Sequence, residues 1–177
     1  MTLNERSRER AHWPVRIYRL GEEPSDDLSA TTTAEERIEI VGLFSRRMWE
    51  ISKRAQVTDV KATTPARRAV REGGIHADPS GLLAILLESG VRFLVIGAHA
   101  MAAHGVPRAT QDIDLWIDPD PTNAARVWRS LLLFGAPLGD LAVSMEDLSA
   151  PDVVLQIGLP PNRVDILTSL SAIDRFD

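Results

Sequence analysis

A chain of 177 residues that is 44% hydrophobic, with a formal net charge of −5, has the material for one domain with a buried core, or a small domain plus an appendage, and this excludes wholesale disorder. It contains no cysteine, which excludes disulfides, thiolate zinc sites and cysteine nucleophiles. No apolar run approaches the roughly 18 residues of a membrane span, and the opening MTLNERSRER lacks the apolar stretch of a secretory signal, so a cytoplasmic protein without a membrane partner is expected.

Residues 1–30 read as polar and irregular, with Pro14, Gly21 and Pro24 as breakers. Within them WPVRIYRL predicts one short strand, because Val15, Ile17 and Tyr18 suit extended backbone. TAEERIEIVGLFSRRMWEISKRA predicts a long helix from Ala34 to about Arg54. Thr33 and Glu36 form a capping box at its start. Ile40, Val41, Phe44, Met48 and Ile51 make an apolar stripe that either packs on the rest of the chain or meets a partner protein. Residues 1–55 therefore read as an N-terminal module with one long helix, docked loosely or serving a partner. Residues 56–77 have no sustained period and carry Thr64-Pro65 and Gly73-Gly74, which marks a linker, with protease expected to cut first between Gln56 and Gly74.

Charge divides the chain in the same place. Residues 1–77 carry 14 basic and 12 acidic side chains, and residues 78–177 carry 6 and 13. The acidic half is rich in Leu, Ile and Val, hence folded, and it repels a nucleic-acid backbone unless cations intervene.

From Asp78 the pattern alternates between helix and strand. DPSGLLAILLESG predicts a short helix, capped by Asp78 or Ser80 and stopped at Gly90. VRFLVIG is continuously apolar and predicts a strand buried on both faces. AHAMAAHG predicts a short helix, VPRATQ a loop and DIDLWI a second strand. PTNAARVWRSLLLFG predicts a helix with Pro121 in its first turn, and MEDLSA about one helical turn. DVVLQIGL and NRVDILTSL predict two strands joined by a tight turn at Pro160-Pro161-Asn162. The order implies an α/β or α+β fold, a small mixed sheet flanked by helices with a helical N-terminal appendage.

RATQDIDLW poses the chemical question. Alternation along a strand puts Asp112 and Asp114 on one face, with Ile113 and Leu115 on the other. Two like charges held close and partly buried raise each other's pKa, and a divalent cation removes that cost. Hard oxygen ligands select Mg²⁺ or Mn²⁺, and a pair of such ions could clamp a phosphoryl displacement. Asp165 in RVDIL is a third carboxylate inside an apolar strand. The competing reading is a strand edge whose acids face solvent. Upstream, Ile96-Gly97-Ala98 takes a strand into a helix, where backbone N–H groups are open to a phosphate and glycine permits close approach.

These residues carry a resemblance. VIGAHAMAAHGVPRATQDIDLWI followed by RVDIL resembles the nucleotidyltransferase (polymerase-beta-like) superfamily over roughly residues 80–177. RATQDIDLW and IGLPPNRVDILTSL look like the minimal members found in toxin–antitoxin-type loci, including the AbiEii-like group. The resemblance implies a domain over 78–177 that binds Mg²⁺ (or Mn²⁺) and an NTP. It would transfer a nucleoside monophosphate to an acceptor hydroxyl, on a tRNA end, a protein or a small molecule, and release pyrophosphate. Carried over, Asp112, Asp114 and Asp165 are metal ligands and catalytic residues, and Asp165 helps deprotonate the attacking hydroxyl. Gly97 and Ala98 line the triphosphate. Ala98 stands where the family has a second Gly or Ser. The chain also stops at Asp177, soon after the third acid, where relatives continue with helices that hold base and acceptor. The implied protein is thus a C-terminally truncated transferase needing a partner, with a weak or inactive interaction protein of antitoxin type as the alternative.

Other residues have plainer readings. Arg108 could meet a phosphate or pair with an acid. Thr110 orders its loop, His99 and His104 are structural or ligands, and Trp116 and Trp128 belong to the core or an interface. Arg163 is a candidate ion-pair partner for Asp165, in competition with a metal.

Overall fold

The computed structural model describes residues 3–24, 33, 79–104, 106, 110, 112–138, 143–159, 162–171, 173 and 176. The long helix expected from Ala34 to Arg54 and the linker at 56–77 lie outside the described residues. The elements, in chain order, are α1 (Leu3–Arg10), β1 (Val15–Arg19), α2 (Pro79–Glu88), β2 (Phe93–Ile96), α3 (Gly97–Ala103), β3 (Asp112–Ile117), α4 (Pro121–Phe134), a 3₁₀ turn (Glu146–Ser149), β4 (Val153–Ile157) and β5 (Arg163–Leu167). The strands form one mixed five-stranded sheet in the order β1-β4-β5-β3-β2. Only β3 and β5 are parallel; the other three pairings are antiparallel. No helix among the described residues is long and apolar enough to cross a membrane.

One face of the sheet is the core. Ile113, Leu115 and Ile117 of β3 alternate inward with Leu155 and Ile157 of β4 and Val164 and Ile166 of β5. Against them pack Leu82 and Leu86 of α2 and Val127, Leu131 and Phe134 of α4, all fully buried. The ends of α4 are set locally. Asp120 accepts from the Thr122 and Asn123 backbone N–H groups, Pro121 sits in the first turn, and Gly135 closes the helix at φ 87°. Those backbone donors hold the Asp120 carboxyl below its ordinary value, the Asn123 N–H most of all. The Asn123 side chain then accepts from Arg92 N–H at 2.8 Å and donates to the Arg92 and Asp118 carbonyls at 3.0 and 2.9 Å. It thereby fixes the start of β2 beside the end of β3.

Two findings differ from the expectations. VRFLVIG is not buried on both faces, because β2 is an edge strand and Leu94 is 48% exposed. Residues 3–10 are not irregular but helical. The strand expected in WPVRIYRL is present and pairs along its length with β4. Thus the described part of the N-terminal stretch, Leu3–Arg19, is built into the same sheet and core as the acidic half. Arg10 secures it: its guanidinium is fully buried, donates to the Phe134 carbonyl at 2.6 Å and lies 4.0 Å from the Phe134 ring centre. A cation over the last carbonyls of α4 meets the negative end of that helix.

Candidate metal centre

The other face of the sheet carries the polar residues. Residues directly opposite in neighbouring strands point the same way. Register places Arg16 of β1 opposite Gln156 of β4, Gln156 opposite Asp165 of β5, and Asp165 opposite Asp114 of β3. One row therefore crosses four strands as Arg16, Gln156, Asp165, Asp114. Two residues earlier on the same face, Asp112 stands opposite Arg163. The parallel pairing of β3 and β5 is what brings these distant segments into line.

Asp112, Asp114 and Asp165 each present a carboxylate oxygen, and these oxygens lie within 4.8 Å of one another. Asp112 and Asp165 are buried and Asp114 is half-buried. A cluster of this kind could hold a metal ion. Ligands on one Mg²⁺ stand about 2.9 Å apart when adjacent and about 4.2 Å when opposite, so the three carboxylates would have to draw closer together to share a single ion.

The acids already have partners. Arg163 is buried between two of them: its Nη2 donates to Asp112 Oδ2, and its Nε and Nη2 donate to Asp165 at 2.9 and 3.1 Å. Gln156 Nε2 donates to Asp165 Oδ2 at 2.9 Å. Thr110 donates its hydroxyl proton to Asp112 Oδ1, which is how it orders the loop ahead of β3. Burial pushes the Asp165 carboxyl up to about 6; Arg163 opposes the shift, the Asp112 charge adds to it, and Gln156 opposes it. The ion pair anticipated between Arg163 and Asp165 is thus present, and it extends to Asp112.

Gly97 is shaped by the cluster. Its φ is +64°, and a Cβ added there would fall 2.0 Å from Asp114 Oδ2 and 2.9 Å from its Cγ. Glycine is required twice, once for the left-handed backbone and once for the carboxylate lying over it. We predict that Gly97→Ala displaces the Asp114 side chain and weakens divalent-cation binding by about tenfold or more, although no carboxylate is removed. A Mn²⁺ titration checks this, and unchanged affinity would show that Asp114 takes no part in cation binding.

His99 acts through the backbone. It is buried in α3, and its Nε2–H donates to the Asp112 carbonyl at 2.8 Å, which ties α3 to the first residue of β3. Burial lowers its pKa, opposed by that hydrogen bond and by the Asp112 charge, so the ring is held towards its neutral form. His104 is exposed, Gly97 is exposed, Ala98 is buried, and Arg108 lies outside the described residues. Trp116 is buried on the site face against Phe176, at 4.9 Å between ring centres. Trp128 is half-buried against the core.

No protein-family model matches this chain, and neither does any curated protein or solved structure.

Gln156 was not singled out in the sequence, although its signal was there: a lone amide inside the apolar run VVLQIG, at the strand position where DIDLWI and RVDIL carry acids. Arg16 gave no signal, because an arginine in a polar N-terminal stretch is ordinary.

Proposed function

We propose that this chain is a metal-dependent nucleotidyltransferase, moving a nucleoside monophosphate from an NTP to an acceptor hydroxyl with release of pyrophosphate. The observation that carries the reading is the convergence of three in-strand aspartates, from segments 51 residues apart, beside a glycine whose missing side chain leaves Asp114 room. The donor set fits the ion. Carboxylate oxygens favour Mg²⁺ or Mn²⁺. Among the described residues, three carboxylates and one guanidinium leave a formal charge that a single divalent cation balances. Asp112 and Asp114 would hold it, with Asp165 completing the set. When bound, it would supply charge neutralisation for the triphosphate.

The chain's own groups do the rest. Gly97, exposed at the start of α3, offers a backbone that phosphate can approach. Asp165 would accept the proton from the attacking hydroxyl. Both its oxygens accept hydrogen bonds from Arg163 and Gln156, so Arg163 must yield one of them first. The acceptor class, a tRNA end, a protein hydroxyl or a small molecule, and a partner protein of the toxin–antitoxin type remain part of this proposal.

A second reading is favoured by Arg163 itself. A guanidinium satisfying Asp112 and Asp165 is also how a non-catalytic interaction protein would keep this fold. Incubating the purified chain with Mg²⁺ and each labelled NTP, alone and with cell extract, separates the two. Transfer of label that is lost in Asp114→Ala supports the enzyme. Absence of both transfer and NTP binding supports the interaction protein.

A further inference from the structure

Beside the acid cluster, at the β1 end of the polar row, the surface folds into a pocket. Pro14 and Leu159 are among its apolar walls, Gln156 and Arg163 are its buried polar lining, and Arg16 stands at its exposed side. Gly158 closes it where β4 turns towards β5, its N–H donating to the Pro14 carbonyl at 2.9 Å. The two buried polar residues are the same two that bond Asp165. The pocket and the carboxylate cluster are thus contiguous, sharing Gln156 and Arg163 as a wall.

The charges in the pocket are not equivalent. Arg163 is committed to Asp112 and Asp165. The Arg16 side chain has no hydrogen-bond or ion-pair partner among the described residues. Along the row, Arg16 stands two strand spacings from Asp165 and three from Asp114, roughly 10 and 14 Å. The acid nearer to it is already covered by Arg163, and the further one is three strands away. A guanidinium in that position is available to an incoming oxyanion, which it can grip through two parallel N–H donors.

We infer that this pocket binds an oxyanion, a phosphate or carboxylate group, through Arg16. If the chain is the transferase proposed above, that group belongs to the acceptor. The acceptor then lies along the sheet with its hydroxyl over Asp165 and its anionic group at Arg16, on the side of the cluster away from Gly97. Only this assignment to the acceptor rests on the functional reading; the binding of the anion does not.

The test uses the full ¹⁵N-labelled chain in EDTA, titrated with inorganic phosphate and separately with acetate. Shifts are read at the Arg16 Nε–H and the Gly158 amide. Saturable shifts at both positions are expected, about two- to fivefold weaker in affinity for Arg16→Ala and unchanged for Arg129→Ala, an exposed arginine of α4. Response to phosphate alone assigns a phosphate-bearing ligand, and response to acetate alone assigns a carboxylate. No saturable shift with either anion, or equal affinity in Arg16→Ala, overturns the inference. Because Arg16 is exposed on an edge strand, the variant keeps the fold, which an otherwise unchanged spectrum verifies. A parallel Mn²⁺ titration keeps the two proposals apart: cation binding without anion binding refutes the pocket alone, and anion binding without cation binding refutes the metal centre alone.

Discussion

Replacing Arg163 with methionine is expected to lower the melting temperature in EDTA at neutral pH by roughly 6–20 °C. Removing one partner from a buried ion pair costs about 3–5 kcal/mol, because the charge left behind has lost its compensation, and a chain of this length loses about 2–4 °C per kcal/mol. Here two buried carboxylates, Asp112 and Asp165, lose the same guanidinium at once. Protonation limits the damage, so the deficit should shrink at pH 5. Millimolar Mg²⁺ or Mn²⁺ should then return more degrees to the variant than it adds to the wild type, since the cation enters a site no longer shared with Arg163. A variant that melts low and ignores the cation would show that Arg163 only holds the strands together. A drop under about 2 °C would show that the pairs contribute no more than surface ones.

Asp112 and Asp114 were legible as one-sided because strand alternation is local: their spacing of two needs no knowledge of the fold. Asp165 was legible as an acid in an apolar strand, but its nearness to the pair depends on the parallel register of β3 and β5, which no local pattern encodes. The Arg163–Asp112 pair is a product of that register too. β2 misled because a continuous apolar run reads alike at the centre or the edge of a sheet. Here the edge position leaves Leu94 exposed. Arg10 gave no local signal of its burial. An arginine in a polar helix is ordinarily solvent-facing, and its complete burial depends on tertiary contacts, those with Phe134 and Trp13 among them. What the sequence reads well is therefore which residues are chemically unusual for their element, and what it reads poorly is which of them meet.

The stabilisation conferred by a divalent cation should open with rising pH around pH 6. Asp165 in the folded, metal-free chain has its pKa raised to about 6 from its ordinary 3.8. The folded state therefore holds a proton on it between those values that the unfolded chain has released. This contribution to stability is complete below about pH 4 and is lost as pH rises through about 6, amounting to roughly 3 kcal/mol at neutral pH. A cation reverses the sense. It binds the ionised carboxylate and so offsets, above pH 6, the burial of the charge that EDTA leaves in place. Melting curves in EDTA and in Mg²⁺ should converge near pH 4.5 and separate by about 6–12 °C by pH 7.5 if the cation recovers that loss. Other titrating groups, Asp120 among them, enter both curves and cancel in the difference. Asp165→Asn should flatten the difference, since an amide neither titrates nor binds the cation comparably. A gap between the curves that stays constant from pH 4.5 to 8 would mean that the cation binds elsewhere, and a gap that is absent at every pH would show that no divalent cation joins Arg163 in the cluster.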